Sequence, residues 1–308
     1  MALFCPEGVL YETHQNKINI SNIENLNNAY KNKTVLEARV IMCDNAHNLI
    51  VDLGEITGII PKNEGAVGIE DGSTKDIALI SKVGKPVCFV IENISTSETG
   101  KTIATLSRKS VQIECMETYI KKLAPGDIID ARVTHLEHFG AFVDIGCGIA
   151  SLIPIDAISV SRISHPSDRF VVGQDIKAVV KSTDDCTKIC LSHKELLGTW
   201  DENIKNFTIG ETTCGIIRSV EDYGVFVELA PNLAGLAEPK PEARVGQHVS
   251  VYIKAIIPEK MKIKLVIVDI FDCEEPPTLP VYQITDGHIS TWQYSSEQSD
   301  KLIISDFT

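Results

Sequence analysis

The chain has 308 residues, of which 44% are hydrophobic and 23% charged, and a formal net charge of −13. The length is too great for one ordinary core, and the composition excludes wholesale disorder. No apolar run approaches the about 20 residues of a transmembrane helix and the first residues carry no basic segment, so neither a membrane span nor a signal peptide is predicted.

The charge distribution and the cysteines set two further expectations. Taken alone, the acidity argues against a nucleic-acid partner, because phosphate binding relies on Lys and Arg. Residues 272–308, however, hold one basic and seven acidic side chains, so much of the excess lies in a short tail and local basic faces remain open elsewhere. The nine cysteines follow no regular framework, which indicates a reducing, cytoplasmic location.

The chain begins with a polar, asparagine-rich stretch, residues 1–30, which is interpreted as a partly helical N-terminal extension. Three signals then recur in the same order at a spacing of roughly 70 to 90 residues. The most informative of them is a strand that has similar sequences at His47–Gly54, Phe139–Gly146 and Tyr223–Ala230. The recurrence predicts three domains in series.

Each repeat contains short runs that alternate apolar and polar residues and are separated by Gly, Pro, Asn or Asp, a pattern typical of antiparallel strands. Five such strands in about 70 residues suit a small closed barrel, which leaves no sheet edge exposed. In the second repeat the predicted strands are Asp127–Leu136, Phe139–Ile145, Ser151–Ile155, Ile176–Ser182 and Lys188–Ser192.

Stretches with apolar residues at helical spacing separate the repeats. The fold prediction is therefore mainly β, a tandem array of three five-stranded barrels joined by short helices. The acidic tail is predicted to form a β-hairpin cap on the third barrel, with strands at Val281–Ile284 and Lys301–Ile304. A hairpin that docks a partner protein is the alternative, which its acidic charge suggests. The predicted boundaries are an extension at 1–30, barrels at 31–109, 123–192 and 208–270, linker helices at 110–122 and 193–207, and the tail at 271–308.

The recurring strand turns one Phe outward in each of the last two repeats. By the period of two, Phe142 and Asp144 point to solvent in the second repeat, and Phe226 and Glu228 do so in the third. A Phe on a solvent face contributes little to folding. A single one is readily explained by cover from a loop or a neighbouring domain.

A second aromatic residue and a glycine precede each outward Phe, with Phe139 in the second repeat and Tyr223 in the third. This recurrence favours a function, because paired exposed aromatic side chains on a barrel are platforms for stacking bases. The first repeat has His47 and Ile50 at these positions. It is therefore predicted to be a degenerate barrel that binds RNA weakly or not at all.

These repeats resemble the S1 RNA-binding domain, an OB-fold module named after a protein of the small ribosomal subunit. Its motif combines Gly-x-Val, Phe-Gly-Ala-Phe-Val-Asp-x-Gly, Val-Gly and Leu-Ser-x-Lys. Ala131–Lys194 matches this motif well, Gly215–Leu265 acceptably and Ala38–Lys109 poorly. The whole chain resembles the short, multi-repeat ribosomal protein S1-like proteins of bacteria.

The resemblance implies an RNA face of two aromatic residues, a histidine, an aspartate and a basic residue. In the second repeat the aromatic residues are Phe139 and Phe142, and the aspartate and the basic residue are Asp184 and Lys188. The histidine of the family is absent there, because Pro154 stands in its place.

The third repeat matches this RNA face less completely. Tyr223 and Phe226 are its aromatic residues and Lys262 is its basic residue, with Pro258 at the acidic position and Glu238 in place of the histidine. Two arginines of the first strands are predicted to support binding, because they are interpreted as equivalent to each other. They are Arg132 and Arg218, and the further basic candidates are Lys181, Lys254 and Lys264.

No motif predicts a metal site, a cofactor or catalysis. His135 and His138 with three nearby cysteines match no structural zinc spacing. The glycines at 146 and 148 lead into a strand, whereas a phosphate-binding loop leads into a helix. No nucleophile and base are linked by a recognisable motif, so neither an enzyme nor a small-molecule substrate is predicted.

The predicted function is sequence-tolerant binding of single-stranded RNA by stacking and phosphate contacts on two adjacent barrels. The resemblance implies a role in translation, with mRNA and the small ribosomal subunit as partners and no membrane partner. Two alternatives remain open. One is an RNA-binding accessory of an RNA-decay or transcription complex, and the other is a protein-interaction scaffold whose barrels have lost RNA binding.

Overall fold

Three closed five-stranded β-barrels follow one another along the chain in the computed structural model. The structure describes residues 4–96, 100, 102–184, 188–272 and 279–308. The chain divides into two compact units, residues 1–123 with 144–150 and residues 124–143 with 151–308. The predicted array of OB-type barrels joined by short helices is confirmed.

Two helices precede the first barrel, α1 at His14–Asn19 and α2 at Ile23–Lys31. Each begins where a side-chain oxygen accepts a hydrogen bond from a free backbone N–H of the first turn. Thr13 is this cap for α1 and Asn22 for α2. The second helix buries Leu26 in the core of the first barrel, which fixes the extension to that barrel.

The first barrel has the spatial strand order first, second, third, fifth, fourth. Its third and fifth strands are parallel and close the barrel. Alternate residues of every strand fill the core, as the period of two predicts. The elements are β1 Leu36–Cys43, β2 Leu49–Leu53, β3 Ile56–Ile60, helix α3 Ile77–Ile80, β4 Pro86–Thr96 and β5 Thr102–Ser107.

A helix, α4 at Lys109–Thr118, and a 3-10 turn at Ile120–Lys122 lie in the stretch predicted to be helical after the first barrel. The second barrel repeats the strand order of the first. Its strands are β6 Ile128–Glu137, β7 Gly140–Asp144, β8 Ala150–Pro154, β9 Asp175–Asp184 and β10 Lys188–Ser192. The predicted strands differ from these by at most two residues at any end.

After the second barrel come a 3-10 turn at Lys194–Leu197 and the helix α5 at Trp200–Ile204. Thr199 and Glu202 form a capping box that starts α5, and Trp200 packs in the core of the third barrel. The third barrel has the same strand order again. Its strands are β11 Thr212–Glu221, β12 Gly224–Ala230, β13 Leu233–Ala237, β14 His248–Ile257 and β15 Lys262–Phe271.

The tail forms a two-stranded sheet, but its strands lie elsewhere than predicted. They are β16 at Thr291–Gln293 and β17 at Ile304–Asp306. In the run at 281–284 Val281 is exposed and Tyr282 and Ile284 are partly buried against the core, whereas Trp292 and Tyr294 are buried in the core of the third barrel. The aromatic side chains bury the larger apolar area, and their burial outweighs the β-branched run that suggested strands.

None of the helices in the described part of the chain is long and apolar enough to cross a bilayer.

Candidate nucleic-acid interface

Backbone hydrogen bonds give the three barrels a common register. Val133 exchanges two of them with the Gly173–Gln174 dipeptide that precedes the fourth strand of its barrel. Val40 and Ile217 make the same pair of bonds with the equivalent dipeptides of the first and third barrels. These three residues are therefore equivalent, and outer-face positions can be compared by counting from them.

A row of outward side chains crosses four strands of each barrel, starting two residues after that reference position. In the first and third barrels its members are cross-strand partners. We call it the outer row. It consists of Met42, Ile50, Ile59 and Thr105 in the first barrel, His135, Phe142, Leu152 and Cys190 in the second, and Ser219, Phe226, Leu236 and Lys264 in the third.

The predicted aromatic side chains are neighbours in both of the last two barrels. The rings of Phe139 and Phe142 lie 5.9 Å apart at 89°, and those of Tyr223 and Phe226 lie 6.1 Å apart at 89°. Phe139 is 55% exposed and Tyr223 67% exposed, while the second ring of each pair is half-buried. We call these two pairs the aromatic platforms.

A glycine between the two aromatic residues lets neighbouring strands approach closely. A Cβ atom at Gly140 would lie 2.4 Å from the backbone oxygen of Ile153, and one at Gly224 would lie 2.6 Å from that of Ala237. Such contacts would push β7 from β8 and β12 from β13. The aromatic-Gly-x-Phe spacing is thus a packing requirement of the strands that carry the platforms.

The carboxylates beside the platforms are buried, so their predicted position on the solvent face is wrong. Asp144 is 4% exposed and accepts hydrogen bonds from the backbone N–H groups of Glu7, Gly146 and Gly148. Glu228 is 6% exposed and accepts hydrogen bonds from two arginines. Partners from distant parts of the sequence replace the water that the strand pattern predicted around both groups.

The two arginines are not equivalent, which corrects the sequence-based interpretation. Arg132 precedes the reference position Val133, whereas Arg218 follows the reference position Ile217. The Nε atom of Arg132 lies 2.6 Å from Asp175, near the surface. The Arg218 side chain is only 9% exposed and binds two carboxylates, so Arg218 contributes to packing at this position.

Of the basic residues predicted to bind RNA on the last strand of each barrel, the structure describes the side chain in the third barrel and not the one in the second. The side chains of Asp184 and Lys188, and residues 185–187 between them, lie outside the described residues. Lys262 is exposed at the start of β15, and Lys264 is exposed two residues later in the outer row. Lys264, a further basic candidate from the sequence, pairs across strands with Leu236, which in turn pairs with Phe226 of the third platform.

Histidines surround the platform of the second barrel. The ring of His135 lies 6.4 Å from that of Phe142 in a stacked arrangement, and the ring of His138 lies 4.8 Å edge-on from that of His165. From their sequence spacing, His135 and His138 suggest only a zinc site, which that spacing does not support. Alternation from the buried Val133 would turn His135 inward, so the strand pattern holds no signal for its place beside the platform.

The outer row of the first barrel holds three apolar residues and Thr105, and it has no aromatic ring. Met42 is exposed, and Ile41 next to it is exposed as well. The Nδ1 atom of His47 lies 2.9 Å from the Asp76 carboxylate, so this ring contacts a carboxylate and does not form an aromatic pair with any ring in the described residues. Among the side chains that the structure describes, no group of three His, Cys, Asp or Glu is placed to hold a metal ion.

Comparison with known proteins gives consistent matches. Residues 122–194 match the model of the S1 RNA binding domain, which confirms the resemblance of the second repeat. Small ribosomal subunit protein bS1 of Staphylococcus aureus (strain MRSA252) is 31% identical over 295 residues, which cover 89% of this chain and 70% of that protein. The bS1 protein of Staphylococcus haemolyticus (strain JCSC1435) is 32% identical over 297 residues, with coverage of 90% and 70%.

A crystal structure of a multidomain protein with nucleic acid binding domains from Streptococcus pneumoniae covers 77% of this chain and 74% of its own chain. It has 15% sequence identity and a TM-score of 0.25.

Proposed function

The chain belongs to the family of small ribosomal subunit protein bS1, and from this premise we propose that it binds single-stranded RNA on the aromatic platforms of its second and third barrels. The two RNA-binding regions are residues 123–192 and 208–270. Bases stack on the exposed rings, and basic side chains contact the phosphates. The first barrel contributes little to binding, because its outer row has no aromatic ring.

The observation that carries this proposal is the recurrence of one geometry at one register. Phe139 with Phe142 and Tyr223 with Phe226 have nearly the same ring separation and the same ring angle. Exposed aromatic rings cost solubility and contribute little to the core, so two matched pairs need a reason other than folding. Stacking supplies one, since each base stacked on such a ring contributes about 1–3 kcal/mol.

The net charge of −13 does not oppose this proposal, because seven of the acidic residues lie in the tail at 272–308 and the third barrel carries exposed lysines on its last strand. Lys262 and Lys264 are exposed on β15, and Leu236 separates Lys264 from Phe226 in the outer row. On the same barrel the carboxylate of Glu228 is buried and neutralised by two arginines. Lys262 and Lys264 are therefore the groups of this barrel that we propose contact the phosphates, while Asp222 beside Tyr223 reduces the attraction of this face for RNA.

The second and third barrels act together in this proposal. Ion pairs with buried side chains link them, including one of 2.6 Å between Arg169 and Glu228. Two weak sites held at a fixed separation bind one RNA strand more tightly than either site alone, because the second contact becomes intramolecular. The RNA must be single-stranded, since a stacking platform needs unpaired bases.

Membership of this family supports a cytoplasmic role in translation, with mRNA as the RNA and the small ribosomal subunit as the assembly. It also supports a protein without catalytic activity. Co-purification with ribosomal subunits tests this role. Co-purification with a nuclease or an RNA polymerase would instead favour the accessory of a decay or transcription complex.

Fluorescence anisotropy of a labelled, unstructured RNA of about 20 nucleotides tests the binding itself. The full chain is titrated at two salt concentrations, alongside the variant Phe142→Ala with Phe226→Ala. We expect binding that tightens at low salt and weakens at least 30-fold in the variant, since two stacked bases contribute about 2 kcal/mol or more.

Binding that is unchanged in the variant would contradict the proposed surface. Absence of binding even at low salt would contradict the proposed function and would favour the protein-interaction scaffold.

A further inference from the structure

A short segment of the second barrel contacts the surroundings of both platforms. It comprises residues 165–169 and contains a 3-10 turn at Pro166–Asp168. A capping box starts this turn. The His165 Nδ1 atom accepts a hydrogen bond from the backbone N–H of Ser167, and the Asp168 carboxylate accepts one from the backbone N–H of His165. We call this segment the bridge.

The N-terminal end of the bridge reaches the second platform. The His165 ring packs edge-on against the ring of His138, with centroids 4.8 Å apart. His138 is exposed and directly precedes Phe139, whose ring belongs to the platform. The bridge therefore contacts the residue that directly precedes the second platform in the chain.

The C-terminal end of the bridge is fixed to the third barrel. The Arg169 Nη2 atom lies 2.6 Å from Glu228 Oε2, and the Arg218 Nη1 atom lies 3.1 Å from Asp168 Oδ1. The Nε atom of Arg218 also lies 2.8 Å from Glu228 Oε2. Apart from Asp168, these side chains are less than one-tenth exposed, so the contact is rigid and poorly screened by solvent.

The residue that holds this end of the bridge is close to the third platform in the chain. Glu228 lies two residues after Phe226 on β12, which corresponds to about 7 Å along a strand. The bridge thus connects the imidazole of His138, the residue before Phe139, to the strand that carries Phe226. Its two ends are three or four residues apart.

We propose that His138 and His165 form a third RNA contact on the bridge, at which an unpaired nucleotide binds between the two aromatic platforms. This inference rests on the proposed function and adds the path that the strand takes. A single RNA strand then passes from the second platform across the two imidazoles to the third platform. Arg169, Asp168, Arg218 and Glu228 act as positioning residues that hold the imidazoles in line with both platforms.

The chemistry of the imidazole pair fits an unpaired nucleotide. An imidazole ring stacks on a base as other aromatic rings do, and its N–H groups donate to phosphate, sugar or base oxygens. His138 is exposed and His165 is half-buried, so each has a face open to a ligand. In the ion pairs behind them Arg169 and Arg218 neutralise Asp168 and Glu228, so these two carboxylates do not repel the phosphate.

The test compares two lengths of unstructured RNA on the full chain. The variant is His138→Ala with His165→Asn, because asparagine retains an acceptor that caps the turn and removes the ring. His14→Ala, at an exposed histidine of α1, is the matched control. The ligands are an RNA of about six nucleotides, which one OB-type barrel can hold, and one of about 20 nucleotides, which is long enough for two.

We expect the variant to bind the 20-mer about five- to tenfold more weakly and to bind the 6-mer within about twofold of the unsubstituted chain, since only the longer strand crosses the bridge. The His14→Ala chain binds both RNAs normally. An unchanged affinity for the 20-mer overturns the bridge contact. If the Phe142→Ala and Phe226→Ala chain still loses the 20-mer in that case, the proposed function stands without it. Failure of the unsubstituted chain to bind the 20-mer at low salt overturns both.

Discussion

The first and third barrels share a strand order and a backbone register, yet their outer rows have different chemistry. Ile50 of the first barrel stands where the third has Phe226, and Thr105 stands where the third has Lys264. The inward faces of both are equally apolar. The comparison teaches that the core fixes the barrel, while the outer row is free to gain or lose a ligand, so function has to be argued from the row.

The largest expected effect is an opposite pH dependence of stability in the two compact units, of which one contains Glu37 and the other His193. Burial raises the pKa of Glu37, in the first barrel, to about 7. Because the folded chain binds this proton more tightly than the unfolded chain, protonation of Glu37 stabilises the fold. This contribution to stability is complete below pH 4.5 and is lost as the pH rises through 7. Burial lowers the pKa of His193, after the second barrel, to about 4. That contribution is complete above pH 6.5 and is lost as the pH falls through 4, and each is on the order of 3 kcal/mol.

Amide hydrogen exchange measured on peptides between pH 5 and pH 7.5, corrected for the intrinsic rate, separates the two trends. On lowering the pH we expect protection to rise in β1, which carries Glu37, and to fall in the segment that carries His193. The variant Glu37→Gln keeps an oxygen that accepts from the Gly8 and Tyr11 N–H groups and removes most of the first trend. Parallel trends in both regions would contradict these pKa values.

The next largest effect compares single substitutions at matched positions of the outer row. Phe226→Ala removes a stacking ring, and we expect it to weaken RNA binding roughly 5- to 150-fold. Ile50→Ala removes an apolar side chain at the equivalent position of the first barrel and should change affinity less than about twofold. Anisotropy titration with the 20-nucleotide RNA measures both. An effect of Ile50→Ala as large as that of Phe226→Ala would remove the distinction between the barrels.

The smallest expected effect concerns salt. Lys262→Ala with Lys264→Ala removes two cations beside the third platform, and each should reduce the slope of log affinity against log salt by about 0.7, the value for single-stranded ligands. Lys31→Ala with Lys85→Ala is the matched control in the first unit and should leave the slope unchanged. Equal slopes for both double variants would mean that phosphates do not approach the third platform.

The inward half of the fold could be predicted from the sequence because it depends on a local pattern. Alternation along each strand identified Ala141, Val143 and Val227 as core residues, and all three are fully buried. The same alternation, together with turn residues, located the strands of the second barrel to within two residues. The aromatic pairs were visible for the same reason, since residues three apart in a Gly-containing strand remain neighbours.

The rest could not be predicted, because it depends on contacts between distant residues. Asp144 and Glu228 occupy outward positions of their strands, and only folding shows that Glu7 and Arg169 bury them. The same carboxylate of Glu228 withdraws Arg218 from the surface. The bridge could not be predicted either, because its sequence is that of an irregular loop and its partners Arg218 and Glu228 lie on the third barrel.

The most direct test of the central claim is to map where RNA lies on the protein. Photo-crosslinking of a bound, unstructured 20-nucleotide RNA, followed by mass spectrometry of the peptides, reads this position without any substitution. We predict crosslinks in the peptides that contain Phe139 with Phe142 and Tyr223 with Phe226. Crosslinks concentrated in the peptide that contains Ile50, with none at the platforms, would contradict the account.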